Sequence, residues 1–217
     1  MLSMSKRIFV FSAIAVCTVF CFMSCKSSVK ASALSNGDIE LNVYIDLGEE
    51  LSSAIVSLTG LTGDEEAVIF NTSEMEESLV QSGFISPKVK STAKDCAQVS
   101  VIIKKDTFSS IIFNNDEELT IKFNPQSINE LIAFLGEDNL SYVSLLMAPV
   151  LTGEESSAQE YKSLLAAVYG DELAEEVTGG IIDFTLNGRK GRCKRYTVDL
   201  VDLLTLKADV SYSVSNR

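Results

Sequence analysis

The sequence predicts an α+β fold: antiparallel sheet in the N- and C-terminal parts, a helical block between them, and a single domain. Three observations predict it. Asp38 to Leu47 alternates, with Ile39, Leu41, Val43, Ile45 and Leu47 on one side and Glu40, Asn42, Tyr44 and Asp46 on the other, the period of a half-buried strand. Residues 125–177 carry apolar positions at helical spacing, broken by Gly136, Pro149 and Gly170. From Ile181 strand character returns around Asn187-Gly188, a dipeptide that favours tight turns between antiparallel strands. Strands, then helices, then strands again is α+β order.

Each element has its own signal. Residues 49–60 place Leu51, Ala54, Ile55 and Leu58 three and four apart, with Gly60 and Gly63 as stops. Asn71-Thr72-Ser73 supplies N-cap side chains for a second helix. Glu74, Glu76 and Glu77 follow in its first turn, where carboxylates suit the helix dipole, and Gly83 ends it. Lys88–Lys94 and Ala97–Lys104 read as strands, Phe108–Phe113 as a short third, and Leu119, Ile121 and Phe123 as a fourth after the turn Asn114-Asn115-Asp116. This block is expected to be one antiparallel meander. Pro125 opens a helix with Ile128, Leu131, Ile132 and Leu135 on its face, and Tyr142–Met147 forms another that Pro149 stops. Ser156 or Ser157 caps a third, with Glu160 in capping-box position for Ser157, and Tyr161, Leu164, Leu165 and Val168 line it. Residues 171–177 add a short helix. Ile181–Leu186 and Tyr196–Leu200 form the hairpin pair, Val201–Leu206 a short helix or bend, and Ala208–Val214 the last strand.

Composition narrows the function. At 217 residues the chain can bury a core without help from metals or disulfides, and 46% hydrophobic with 22% charged residues is a globular balance. With 18 Lys and Arg against 30 Asp and Glu the net charge is −12, which excludes a general nucleic-acid binder. The absence of His removes Ser-His-Asp and Cys-His nucleophiles and every imidazole metal site. P-loop, G-x-G-x-x-G, G-x-S-x-G and EF-hand patterns are missing too. Ser91-Thr92-Ala93-Lys94 matches S-x-x-K, but so do Ser3–Lys6 and Ser27–Lys30, and the partner motifs S-D-N and K-T-G are absent. Acidic runs such as Asp64-Glu65-Glu66 and Glu154-Glu155 read as solvated loops. No catalytic residue, metal ligand or diffusible cofactor is assigned, and the expectation is a non-enzyme.

The N-terminus reads as an export signal. Lys6 and Arg7 precede a 16-residue run, Ile8 to Met23, interrupted only by Ser12 and Thr18, which is shorter than a spanning helix needs. Phe22-Met23-Ser24-Cys25 follows directly, then the polar Lys26-Ser27-Ser28. This junction resembles the lipobox of bacterial lipoproteins, in which the Cys becomes the first mature residue and carries the lipid. Ser24 supplies the small residue before the Cys. Phe22 and Met23 stand where Leu and a small residue are usual, a loose box similar to those of spirochaete lipoproteins. The resemblance covers about 25 residues and implies a cut before Cys25, covalent diacylglycerol and palmitate on its thiol, and a membrane anchor. Lys26, rather than Asp, follows the Cys, which by likeness to enteric lipoproteins favours the outer over the inner membrane. Cys17, Cys21, an ordinary cut at Ala31-Ser32-Ala33 and an uncleaved anchor remain as alternatives. The expected organisation is a signal over 1–24, a flexible tether over 25–37 and a globular domain over 38–217. Losing Lys6 and Arg7 takes the formal charge from −12 to −14.

Three features of the mature chain carry candidate sites. Cys96 and Cys193 are its remaining cysteines and are either bridged or two free thiols. Arg189, Lys190, Arg192, Lys194 and Arg195 concentrate five cations in seven residues of an acidic protein. They read either as a patch for anionic headgroups or an acidic partner, or as a solvated hairpin with a charge-protected edge strand. Val143–Leu151 is the most apolar mature stretch, a core helix or the wall of a hydrophobic-ligand site. Three functions are ranked accordingly: an envelope lipoprotein contacting protein partners, a lipid or hydrophobic-ligand binder, and a carboxylate-dependent hydrolase.

Overall fold

A computed structural model describes residues 26–59, 69–128 and 148–217 of the chain. Strands β1 (Lys26–Ala33) and β2 (Ile39–Asp46) come first, then helices α1 (Glu49–Thr59) and α2 (Thr72–Gln81). Strands β3 (Ile85–Ala93), β4 (Cys96–Ile103), β5 (Ile112–Asn114) and β6 (Glu118–Phe123) follow. After them come α3 (Pro149–Thr152), α4 (Ala158–Tyr169), α5 (Asp171–Thr178), β7 (Ile181–Asn187), β8 (Cys193–Asp199), α6 (Leu200–Leu204) and β9 (Val210–Ser215). The fold is α+β. A six-stranded sheet runs β3-β4-β2-β1-β7-β8, and a three-stranded sheet runs β5-β6-β9. Every pairing is antiparallel except β1 with β7.

The expected tether is corrected. Lys26–Ala33 is an interior strand, antiparallel to β2 and parallel to β7, so the domain reaches back at least to Lys26 rather than starting at residue 38. The reason lies in residue size. Ser27, Val29 and Ala31 point into the core with 3%, 9% and 0% exposure, and only one of them is bulky. Val29 lies between Val43 and Phe184, and Ala31 between Leu41 and Leu186, so larger neighbours supply the apolar volume that β1 lacks. Because β1 joins the β2 strand on one side and the β7–β8 hairpin on the other, it makes one sheet of the N- and C-terminal strands.

The expected meander divides. β3 and β4 form a hairpin at one edge of the large sheet, whereas β5 and β6 leave to pair with β9. Asp106 and Phe108 adopt left-handed backbone (φ 68° and 58°), and this turns the chain out of the first sheet, so the strand expected over Phe108–Phe113 is instead the shorter Ile112–Asn114. Phe108 then stacks on Phe84 with ring centroids 5.4 Å apart. The two sheets meet through aromatic rings. Phe184 lies 5.6 Å from Phe123 and 5.7 Å from Tyr212, and the Tyr196 hydroxyl donates to the Ser213 carbonyl at 2.8 Å.

Helix termini follow local chemistry. Asn71 Oδ1 accepts from the Glu74 amide at 3.3 Å. Ser157 Oγ accepts from the Glu160 amide, and the Glu160 carboxylate accepts from the Ser157 amide at 2.8 Å, completing the expected capping box. Pro149 takes the first turn of α3. The expected helix at Tyr142–Met147, the positions Leu131, Ile132 and Leu135, and Val143–Met147 of the apolar stretch lie outside the described residues. Ala148 and Val150 are buried. Tyr161 and Leu165 of α4 and Leu51 of α1 join Ile45, Ile182 and Leu186 in one core on a single face of the large sheet. The opposite face, with Ser28, Lys30, Glu40, Tyr44, Gln98 and Asp183, is exposed.

Candidate functional site

Strand direction gives the large sheet two chemically different ends. β1 and β7 start together, so Lys26, Asp46, Cys96, Ile181 and Asp199 share one end. Ala33, Ile39, Ile103, Asn187 and Cys193 share the other.

At the first end, Asp46, Asp95 and Cys96 bring three potential ligand atoms within 4.8 Å of one another. The Cys96 thiol lies 3.5 Å from Asp95 Oδ1, to which it donates. Burial pushes this thiol up, and Asp46 and Asp95 add to the effect against the lowering hydrogen bond from Tyr44. The Tyr44 phenol is pushed up to about 12, first by its hydrogen bond with Cys96, then by burial. A thiol held in its protonated form is a poor nucleophile and a poor metal ligand. Also at this end, the Glu176 carboxylate accepts from the Glu50 and Leu51 amides at 3.1 and 2.8 Å, capping α1 from a residue 125 positions away.

The second end holds the five clustered cations, and the structure divides them. Asn187-Gly188 does not make a two-residue turn. The connection runs Gly188 to Arg192 through a tight 3₁₀ turn with Lys190 at φ 59°. Gly188 is required by proximity, because a Cβ there would stand 2.2 Å from the Ser215 carbonyl oxygen. Arg189 is built in: its amide donates to Asn216 Oδ1 at 2.9 Å and its guanidinium to Asp116 at 3.1 Å, with 26% of the side chain exposed. Lys190, Arg192, Lys194 and Arg195 are exposed and make no ion pair among the described residues. Arg192 Nε donates to the Arg217 carbonyl at 3.2 Å, and the Arg217 guanidinium pairs with Glu117.

Two buried asparagines hold this end together. Asn114 is 6% exposed and donates to the Gly37 and Asp38 carbonyls, each at 3.1 Å. Asn216 is 3% exposed and donates to Asn114 Oδ1 at 2.8 Å and to the Asn115 carbonyl at 2.6 Å. The clamp thus ties the β1–β2 turn, the β5–β6 turn, the basic hairpin and the chain end into one unit. Asn114 is visible in the sequence only as a turn residue, and Asn216 gives no signal, because their partners are remote in sequence.

The structure does not bring Cys96 and Cys193 together: of the two alternatives, bridge or free thiols, it has two free thiols, one buried and one exposed. They occupy opposite ends of strands four places apart, about 19 Å across the sheet and about 20 Å along it. A disulfide needs Cα atoms within about 7 Å. Ser91 of the S-x-x-K spacing lies near the end of edge strand β3 and donates to its neighbour Ala93 at 2.7 Å. No family model, curated protein or solved structure matches the chain.

Proposed function

We propose that this protein is an envelope lipoprotein, anchored through acyl groups on Cys25, that works by binding protein partners rather than by catalysis. The position of β1 carries the reading. Cleavage after Ala33 would remove Lys26–Ala33, a strand paired along its length with both neighbours, and would split the large sheet. A cut before Cys25 keeps the strand whole. That supports the lipobox over the Ala31-Ser32-Ala33 site, and the signal-like run before Cys25 agrees with it. Lys26 in place of Asp points the same reading toward the outer membrane. The partner-binding role rests on the cations that the domain presents on a rigid support, in a chain without His.

Intact and N-terminal peptide masses of the protein from its native membrane fraction test the anchor. The expected chain starts at Cys25 and carries added acyl mass. A chain starting at Leu34 with no lipid would overturn it.

A further inference from the structure

We infer that the basic end of the large sheet docks an acidic protein partner on the side of the domain facing away from the anchoring membrane. This rests on Cys25 being the anchor. Cys25 is one peptide bond from Lys26, about 3.8 Å between Cα atoms, and Lys26 is already paired with Ile181 in β1. No slack separates the lipid from the sheet. The register runs from Lys26 opposite Ile181 to Ser32 opposite Asn187, six steps or about 20 Å, and the basic hairpin begins only there.

That separation decides between headgroups and a protein. Attraction of a basic residue to an anionic membrane, about 1 kcal/mol near the surface, fades within a Debye length of about 8–10 Å. Lys190 and Arg192 stand about twice that distance from the anchored end, and Lys194 and Arg195, opposite Leu186 and Thr185, stand about 17 and 13 Å from it, still beyond a Debye length. Laying the domain on its open face gives no remedy. It would bring Glu40, Asp46, Asp183 and Asp199 onto the headgroups together with Lys26, Lys30, Lys88, Lys90 and Arg195, a face of nearly balanced charge.

The patch also has the character of a protein-docking surface. Lys190, Lys194 and Arg195 are exposed and carry no ion pair among the described residues, whereas Arg189 and Arg217 pair with Asp116 and Glu117 and Arg192 Nε donates to the Arg217 backbone oxygen. The free charges therefore sit on a support fixed by Asn114 and Asn216, which lowers the ordering cost of binding. Cations at such a site steer a carboxylate-rich surface into register, and the mature chain, at −14, repels such surfaces elsewhere.

The test uses the full-length lipidated protein in vesicles. Cys193 is exposed and Cys96 buried, so a fluorophore goes selectively on Cys193. The vesicles are phosphatidylcholine, with or without phosphatidylglycerol, and carry a headgroup quencher. The acidic probe is oligo-glutamate. The expected result is an unquenched label in both vesicles and salt-sensitive probe binding. Combining Lys190→Gln, Arg192→Gln, Lys194→Gln and Arg195→Gln should weaken probe binding about tenfold or more. Quenching that appears with phosphatidylglycerol would assign the patch to headgroups and overturn the inference. Absent probe binding, or equal binding by the charge variant, would overturn it as well. Protein that fails to float with the vesicles would overturn the anchor, and this inference with it, before either charge measurement is made.

Discussion

The two ends of the large sheet are built in different ways. Where β1 begins, Lys26 lies among acidic and neutral side chains: Asp46, Asp95 and Cys96 sit together, and Glu176 caps α1. Where β1 ends, four segments distant in sequence are locked by Asn114 and Asn216 and present unpaired cations. The first end gathers groups around a protonated thiol and scatters the exposed Lys26 and Lys94 among its carboxylates. The second satisfies its backbone internally and leaves cations exposed. A rigid charged surface at the end remote from Cys25 agrees with the proposed binding role, and substitutions can separate the two ends.

Gly188→Ala should have the largest effect. Its Cβ would meet the Ser215 backbone oxygen at 2.2 Å, so the hairpin or the chain end must move. A loss of about 3 kcal/mol in urea unfolding is expected, as for severe overpacking. Asn216→Ala should cost about 2 kcal/mol, because it leaves the buried Asn114 carbonyl oxygen and the Arg189 amide without their partner. Its hydrogen exchange should quicken in the 188–192 hairpin and not around Asp46. An even loss of protection at both ends would break the distinction drawn above. At the first end, Glu176→Ala should cost about 1 kcal/mol and fray α1 from Glu50, visible as faster exchange of the Glu50 and Leu51 amides. The fourfold Gln variant of the basic patch should stay within about 0.5 kcal/mol of the parent, since those side chains are exposed.

The smallest effect concerns pH. Tyr44 keeps its proton up to about 12 in the fold, while the unfolded phenol releases it near 10. Between those values the folded state binds more protons, so stability falls as pH rises through the window. Tyr161, Tyr169 and Tyr212, pushed up by burial, act in the same direction. Tyr44→Phe should therefore reduce the alkaline loss without abolishing it, as read by unfolding midpoints on either side of about pH 10.

Much of the fold is legible because its signals are local. The alternation of Ile39 to Leu47 and the pairing of Ser157 with Glu160 each lie within ten residues, and both elements form as expected. β1 escapes the same reading because Ser27 and Ala31 fill inward positions without being hydrophobic, so the period is one of size. The meander divides at Asp106 and Phe108, where left-handed backbone occurs without a glycine to announce it. The cations of the candidate site are plain in the sequence, but their roles are not. Arg189 is structural because of Asn216 and Asp116, and the separation from Cys25 depends on strand direction. The same strand order keeps Cys96 from Cys193.

The central claim is that Lys26 to Ala33 is core sheet, which leaves no slack between the anchor and the domain. Amide hydrogen exchange across residues 26–33 of the membrane-extracted protein tests it most directly. The predicted result is slow exchange in β1, matching its neighbours β2 and β7. Exchange at the rate of an unstructured chain would mean a tether, and the basic end would then be free to reach the membrane.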